Sequence, residues 1–182
     1  VNSDDLLFPG ALARIAEAFR AHSDAALIYG DAVWIDDEGR LLRAKREIDF
    51  DWNIFAYGYC YIPQPSAFFR RDAYLAAGGV DANLRCTMDY DLWHRLCRQG
   101  RVVHVSGFVS GLRDHAATKT RTLGEVFRQE HELLLRRYVK RSRTACATLY
   151  LWHRLRRIAL RLVRGCYRPL SCEERRQCRL PA

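Results

Sequence analysis

The alternation of apolar and polar residues divides the chain into helical and extended stretches. From Pro9 to about His22, the apolar positions Leu12, Ile15, Ala16 and Phe19 recur at helical spacing, and Pro9 suits a first turn, where its missing N–H is no loss. AALIYGDAVWI (25–35) is a continuous run of β-formers and predicts a buried strand. DDEG (36–39) reads as a turn, with Gly39 free to take positive φ, and RLLRAK follows as its hairpin partner. DFDWNIFAYGYCYIPQPSAFF is aromatic and irregular, the pattern of a loop lining a pocket. RRDAYLAAGG predicts a short helix ended by Gly78-Gly79. TMDYDLWHRLCRQG (87–100) predicts a second, with Leu92, Leu96 and Trp93 inward and Gly100 as its stop. RVVHVSGFVSGL gives one or two strands, RDHAATKT a polar loop, and amphipathic helices are expected over Leu123–Val139 and about Thr148–Arg164. No strand signal precedes residue 25.

Strands alternating with helices predict an α/β layered body. The chain has 182 residues, 49% apolar and 28% charged, which suits one globular domain with aromatic bulk enough for a core. It has no run of about eighteen apolar residues, so no membrane-spanning helix is expected, and its acidic start does not read as a signal peptide. Seven scattered cysteines without C-x-x-C spacing predict reduced thiols in a cytoplasmic compartment, not a zinc site. The charge distribution changes the picture most. Residues 136–182 carry a net +12 and residues 1–135 a net −3, so a slightly acidic body bears a basic tail, with a boundary near 140–147.

Three features carry candidate chemistry, each beside a plainer reading. Asp4 and Asp5 stand ahead of a helix signal, either as cap and dipole partners or as half of a cation site. Asp89 and Asp91 fall in the first turn of a predicted helix, as dipole partners or as a site carboxylate. Asp31 and Asp36 are expected to serve the strand and the turn. In the tail, Leu151, Leu155, Ile158 and Leu162 form one stripe, with His153, Arg154, Arg157, Arg161 and Arg164 on the adjacent face and Trp152 at the border. Residues 148–164 are thereby expected to lie in a membrane interface, apolar side down and cations on anionic headgroups, each worth about 1 kcal/mol. The alternatives pack the stripe on the body, or make the chain a non-catalytic binding protein whose basic helices grip nucleic acid or a partner; with no nucleic-acid module present, nucleic acid is not expected.

In order and separation, NSDDLLFPGAL, YGDAVWIDDEG, IPQPSAFFRRDAYLAAGGVD and TMDYDLWHRL, followed by GLRDH, resemble the C-terminal part of family 2 glycosyltransferases, inverting enzymes of the GT-A fold. The resemblance covers about residues 1–122 and implies a partial GT-A domain followed by a helical basic extension over 123–182. It also implies that the nucleotide-binding half is absent from these residues, so that the chain alone has little or no activity. The implied reaction moves a sugar from a nucleoside-diphosphate donor to a glycan, polysaccharide or lipid-linked acceptor. A divalent cation, Mg²⁺ or Mn²⁺, would assist, at the inner face of a membrane.

By the resemblance, Asn2-Ser3-Asp4 stands where the family has its DxD motif, with Asn replacing the first Asp. Asp4 is the implied metal ligand, with Asn2 and Asp5 beside the donor diphosphate. His115 lies where the family places a His that reaches the metal or diphosphate, although a lone loop His is as often simply solvated; Arg113, Lys119 and Thr120 are implied phosphate contacts. Asp89 matches the Asp of the family's ED motif, with Met88 replacing Glu, and is the implied general base. Gln64, Pro65 and Ser66 match the segment beside the acceptor pocket. Trp52, Tyr57, Tyr59 and Tyr61 could stack on an acceptor, though most such aromatics are expected in the core. A glycosidase fits poorly, because Asp89 and Asp91 are too close in sequence to flank a bond.

Overall fold

A computed structural model describes residues 4–58, 60–114, 122–139 and 143–178. The protein is α/β, built on one open mixed sheet with strand order β1-β5-β2-β3, where β4 also pairs with β2. β2 (Ala25–Ile35) is buried along nearly its whole length. Such a run fits a strand covered on both faces, and β2 pairs in parallel with β5 (Arg101–Arg113) from Ala25↔Arg101 to Ile35↔Arg113. On its other edge β2 pairs first with β4 (Ala67–Phe69) and then with β3 (Leu41–Lys45), both antiparallel. β1 (Leu6–Leu7) lies antiparallel along the end of β5, a strand where the residue pattern gave no signal.

The pairing of β2 with β5 is bulged around Asp31. Gly30 allows the close approach there, since a Cβ would meet Val109 Cγ2 at 2.2 Å. Gly107 takes φ +105 and donates its N–H to Asp31 Oδ2 at 3.1 Å. Asp31 Oδ1 also accepts from Glu47 N and lies beside His104 Nε2, both at 2.9 Å, so this buried carboxylate fastens the bulge, as its place in the strand predicted.

Alternation along β2 sorts the core into two layers. Ile28 faces α1 (Ala11–Ala21), whose Ala11, Ile15 and Ala18 pack with Val103 and Val109. The predicted stripe was rotated: Leu12 and Ala16 are exposed. Leu27 and Tyr29 face the larger layer, with Phe55, Tyr61, Tyr90, Trp93 and Leu96. This layer holds α3 (Met88–Leu96) and the aromatic segment, which contains a π-helical turn (Ile54–Gly58) and a 3₁₀ turn (Gln64–Ser66). α2 (Arg71–Ala76) precedes Gly78 and Gly79, both at positive φ as the sequence predicts.

The basic extension packs onto this body. α4 (Gly124–Tyr138) inserts Leu134 into the larger core layer, and α5 (Arg143–Val163) runs across the π-helical turn, with His153 stacked on Tyr57 at 5.4 Å. Its cations meet body carboxylates: Arg157 with Glu47 at 2.5 Å, Arg156 with Asp51 at 2.7 Å, and Arg164 with Asp49. A final helix, α6 (Cys172–Gln177), starts with a Ser171–Glu174 capping box and joins Arg46 through Glu174 at 2.8 Å. Of the two orientations the sequence allowed, the stripe does not pack on the body, but part of the cationic face does. His153 and Arg157 are buried against the acidic body, whereas Leu151, Leu155 and Leu162 point outward.

Candidate functional site

The carboxyl ends of β2 and β5 gather the first group of predicted residues, the place where open α/β sheets present ligand crevices. Asp5 Oδ1 accepts from Arg113 N at 3.1 Å. The Arg113 guanidinium donates to three carbonyls, Asp4 O (2.9 Å), Asp36 O (2.7 Å) and Asp37 O (2.6 Å). Arg113 thus ties the acidic pair to the β2–β3 turn. That turn is set by Asp36, whose Oδ1 accepts from Glu38 N and Arg40 N. Asp4 is exposed and Asp5 half-buried. Asn2, His115 and Lys119, with Thr120 and Tyr59, lie outside the described residues.

The 3₁₀ turn Gln64–Ser66 packs against β1, β2 and β5. Ser66 is fully buried, donating to Asp31 O at 3.0 Å and lying 2.5 Å from Ser110 Oγ. Pro65 is buried as well, so Gln64, half-buried, is the residue of the three that reaches the surface. A row of paired residues, Leu7–Ser110–Ala32–Lys45, crosses the sheet from β1 to β3. At three strand spacings it spans about 14 Å. At its far end Lys45 Nζ contacts Glu47 Oε1 (2.7 Å) and donates to Tyr61 O (3.0 Å). Besides burial, the charges of Asp89, Lys45 and Glu47 all act on the Cys60 thiol.

Asp89 and Asp91 have separate positions. Asp91 is fully buried and saturated: Arg95 reaches its Oδ2 (2.9 and 2.6 Å), while Arg137 (2.8 Å) and Tyr138 OH (2.6 Å) donate to Oδ1. Asp89, in the first turn of α3, accepts from Tyr90 N at 2.8 Å. Asp89 is half-buried, and desolvation pushes its carboxyl pKa up from the ordinary value against the Tyr90 amide and its own backbone amide. Burial also pushes the neighbouring Cys60 thiol up, and the Asp89 charge adds to the shift. An apolar pocket that disfavours a carboxylate's charge gives that carboxylate a stronger pull on a proton.

Sequence reasoning missed the residue that sets the entry to α3. Glu130 of α4 accepts from Arg85 N (2.7 Å), Cys86 N (2.9 Å), Thr87 N (2.9 Å) and Thr87 Oγ1 (3.0 Å). Thr87 makes no side-chain cap of its own. Burial opposes the Glu130 charge, yet these donors hold its pKa below the usual range. Such a carboxylate adds stability above its unfolded pKa, and the contribution is lost as pH falls through the lowered folded value. Glu130→Ala is expected to cost about 2 kcal/mol and lower the melting temperature by about 4–8 °C at pH 7. Circular-dichroism melts should show the gap narrowing below about pH 4.

Of the four predicted aromatics, Tyr61 is core and Tyr57 lies against α5, while Trp52 keeps an exposed face. Trp52 stands edge-on to His94 at 5.3 Å. Burial drives His94 down to about 3, so it is a neutral packing ring at neutral pH. A separate cavity of about 240 Å³ lies between α4, α5 and the π-helical turn, lined by Leu135, Tyr150 and, of the predicted aromatics, Tyr57. Among the described residues, no group of three or more His, Cys, Asp or Glu is close enough to hold a metal ion by itself. No family model matches the chain, and no curated protein matches it.

Proposed function

We propose that the protein is an inverting glycosyltransferase of the family 2 type, with the sheet as part of a GT-A fold, moving a sugar from a nucleoside diphosphate to a glycan, polysaccharide or lipid-linked acceptor. The observation that carries this reading is the division of labour in the DYD segment. Asp91 is neutralised by two arginines and a tyrosine, whereas Asp89 keeps a pKa raised by burial at the start of α3. A base that takes a proton from a hydroxyl works best with its pKa moved toward the working pH.

In the proposed reaction an acceptor oxygen attacks the anomeric carbon as the bond from that carbon to the diphosphate oxygen breaks. The acceptor's proton passes to a carboxylate oxygen of Asp89, and the nucleoside diphosphate leaves with the bonding electrons. Gln64 and the exposed face of Trp52 would hold the acceptor. The carboxylate oxygens of Asp4 and Asp5 suit a hard divalent cation, which takes one or two carboxylates and fills its shell with phosphate oxygens and water. Bound there, such an ion would neutralise the leaving diphosphate. Arg113 would keep the pair in place through its bonds to the β2–β3 turn.

The test is transfer by the intact protein from a panel of UDP-, GDP- and dTDP-sugars, with anomeric configuration followed by NMR. Product of inverted configuration, formed faster as pH rises through the raised Asp89 pKa, is expected. Retained configuration, or no transfer with any donor, overturns the proposal.

A further inference from the structure

α5 presents its apolar side to the outside. At about 100° per residue, Leu151, Trp152, Leu155, Ile158, Leu162 and Val163 fall within an arc of about 140°. All six are exposed, five of them more than half. No charged residue of α5 falls within that arc. The orientation is fixed from behind, where Arg157, Arg156 and Arg164 meet Glu47, Asp51 and Asp49, His153 stacks on Tyr57, and Cys166 Sγ contacts Glu47 O at 3.7 Å. Because the body is acidic at this surface, it draws in the cationic side of the helix and leaves the apolar side out.

We propose that this face of α5 is a docking surface for an anionic lipid bilayer, with the helix lying along the membrane plane. Charge selects the occupant. From Leu133 to Cys172 the chain has eleven Lys and Arg and no Asp or Glu. Arg154 and Arg161 follow one edge of the apolar arc, Arg156 at the other edge is already paired with Asp51, and Trp152 sits within the arc as an interfacial anchor. A second copy seated on the same face would bring these cations against themselves with no acid to pair them, whereas phosphate headgroups complement them. Among the described residues, no helix is long and apolar enough to cross a membrane, so α5 would lie on the surface. The cations that hold α5 to the body are not those that meet the lipid; Arg154, exposed at the rim, contacts Tyr150 of its own helix. This inference does not depend on the transferase reading.

Flotation of the intact protein with vesicles of phosphatidylcholine, alone or mixed with phosphatidylglycerol, tests it. The protein is expected to float with the mixed vesicles, less with the neutral ones, and less as salt is raised. Leu151→Ser combined with Leu155→Ser, or Trp152→Ser alone, is expected to weaken binding roughly tenfold or more with an unchanged melting curve, since all three side chains are exposed. Arg154→Glu should weaken binding to the mixed vesicles alone. Absence of flotation, or flotation that these variants leave unchanged, overturns the proposal. So does self-association in analytical ultracentrifugation that the Leu variants abolish without any vesicle binding, which would make the face a dimer contact.

Discussion

Asp89→Asn is expected to lower kcat about 10²–10⁴-fold in the intact protein while donor affinity holds and the melting temperature at neutral pH rises. The amide keeps an oxygen for Tyr90 N and the volume of the side chain, but it can accept no proton from a hydroxyl. The rise in stability follows from the sign of the pKa shift. A carboxyl whose folded pKa is raised binds its proton more tightly in the native state, so its contribution favours folding below the unfolded pKa, near 4, and is lost as pH rises through the folded value. At pH 7 the buried charge opposes folding, and Asn removes it. Pairing kinetics with melts separates this role from a structural one. Asp91→Asn, which takes the buried carboxylate away from Arg95 and Arg137, should do the reverse and destabilise. Unchanged turnover in Asp89→Asn would take Asp89 out of the reaction.

Glu47→Ala is expected to cost roughly 3–5 kcal/mol, because it removes the buried carboxylate that meets both Arg157 and Lys45. For a chain of this size that corresponds to a fall in melting temperature of about 6–20 °C. Burial alone would raise the Glu47 pKa, but Lys45 and Arg157 override it and hold it low. A lowered pKa stabilises above the unfolded value, so the effect should be full at neutral pH and shrink as the solution is acidified through the folded pKa. Replacing both partners, Glu47→Met with Arg157→Met, should recover much of the loss, since it removes the buried cation together with its carboxylate. If the double variant melts no higher than Glu47→Ala, the pair itself supplies the stability. Calorimetry on the three proteins decides this.

Much of the fold was legible wherever one strong local pattern acted alone. The β2 run gave its strand to the residue, and the DDEG turn, the Gly78-Gly79 stop and α3 followed from turn and cap chemistry. The aromatic segment showed its irregularity but not its π-helical and 3₁₀ turns, because those answer to packing against α5 and the sheet. Leu12 was misplaced because the small residues Ala11 and Ala18 give the buried stripe of α1 a weak signal, and small side chains are what its close packing on the sheet admits. In the tail, the periodicity of α5 was correct, but periodicity alone left open whether its stripe packs on the body. Hydrophobic patterning assumes that apolar residues turn inward, and the carboxylates at 47, 49 and 51, about a hundred residues away in sequence, overrule it. Of the site, Asp89 could be distinguished from Asp91 only by resemblance, since the partners of Asp91 come from later in α3 and from α4. Glu130 was invisible for the same reason: nothing local marks a glutamate as a cap for a helix over forty residues upstream.

That reach of Glu130 bears on how the polypeptide is born. Emerging from the ribosome in order, residues 85–96 must wait until α4 has followed them before the start of α3 acquires its clamp and Leu134 closes the larger layer of the interior. The stretch up to about residue 122 therefore leaves the exit tunnel as an unfinished body, with the start of α3 secured only after the next helix has been made.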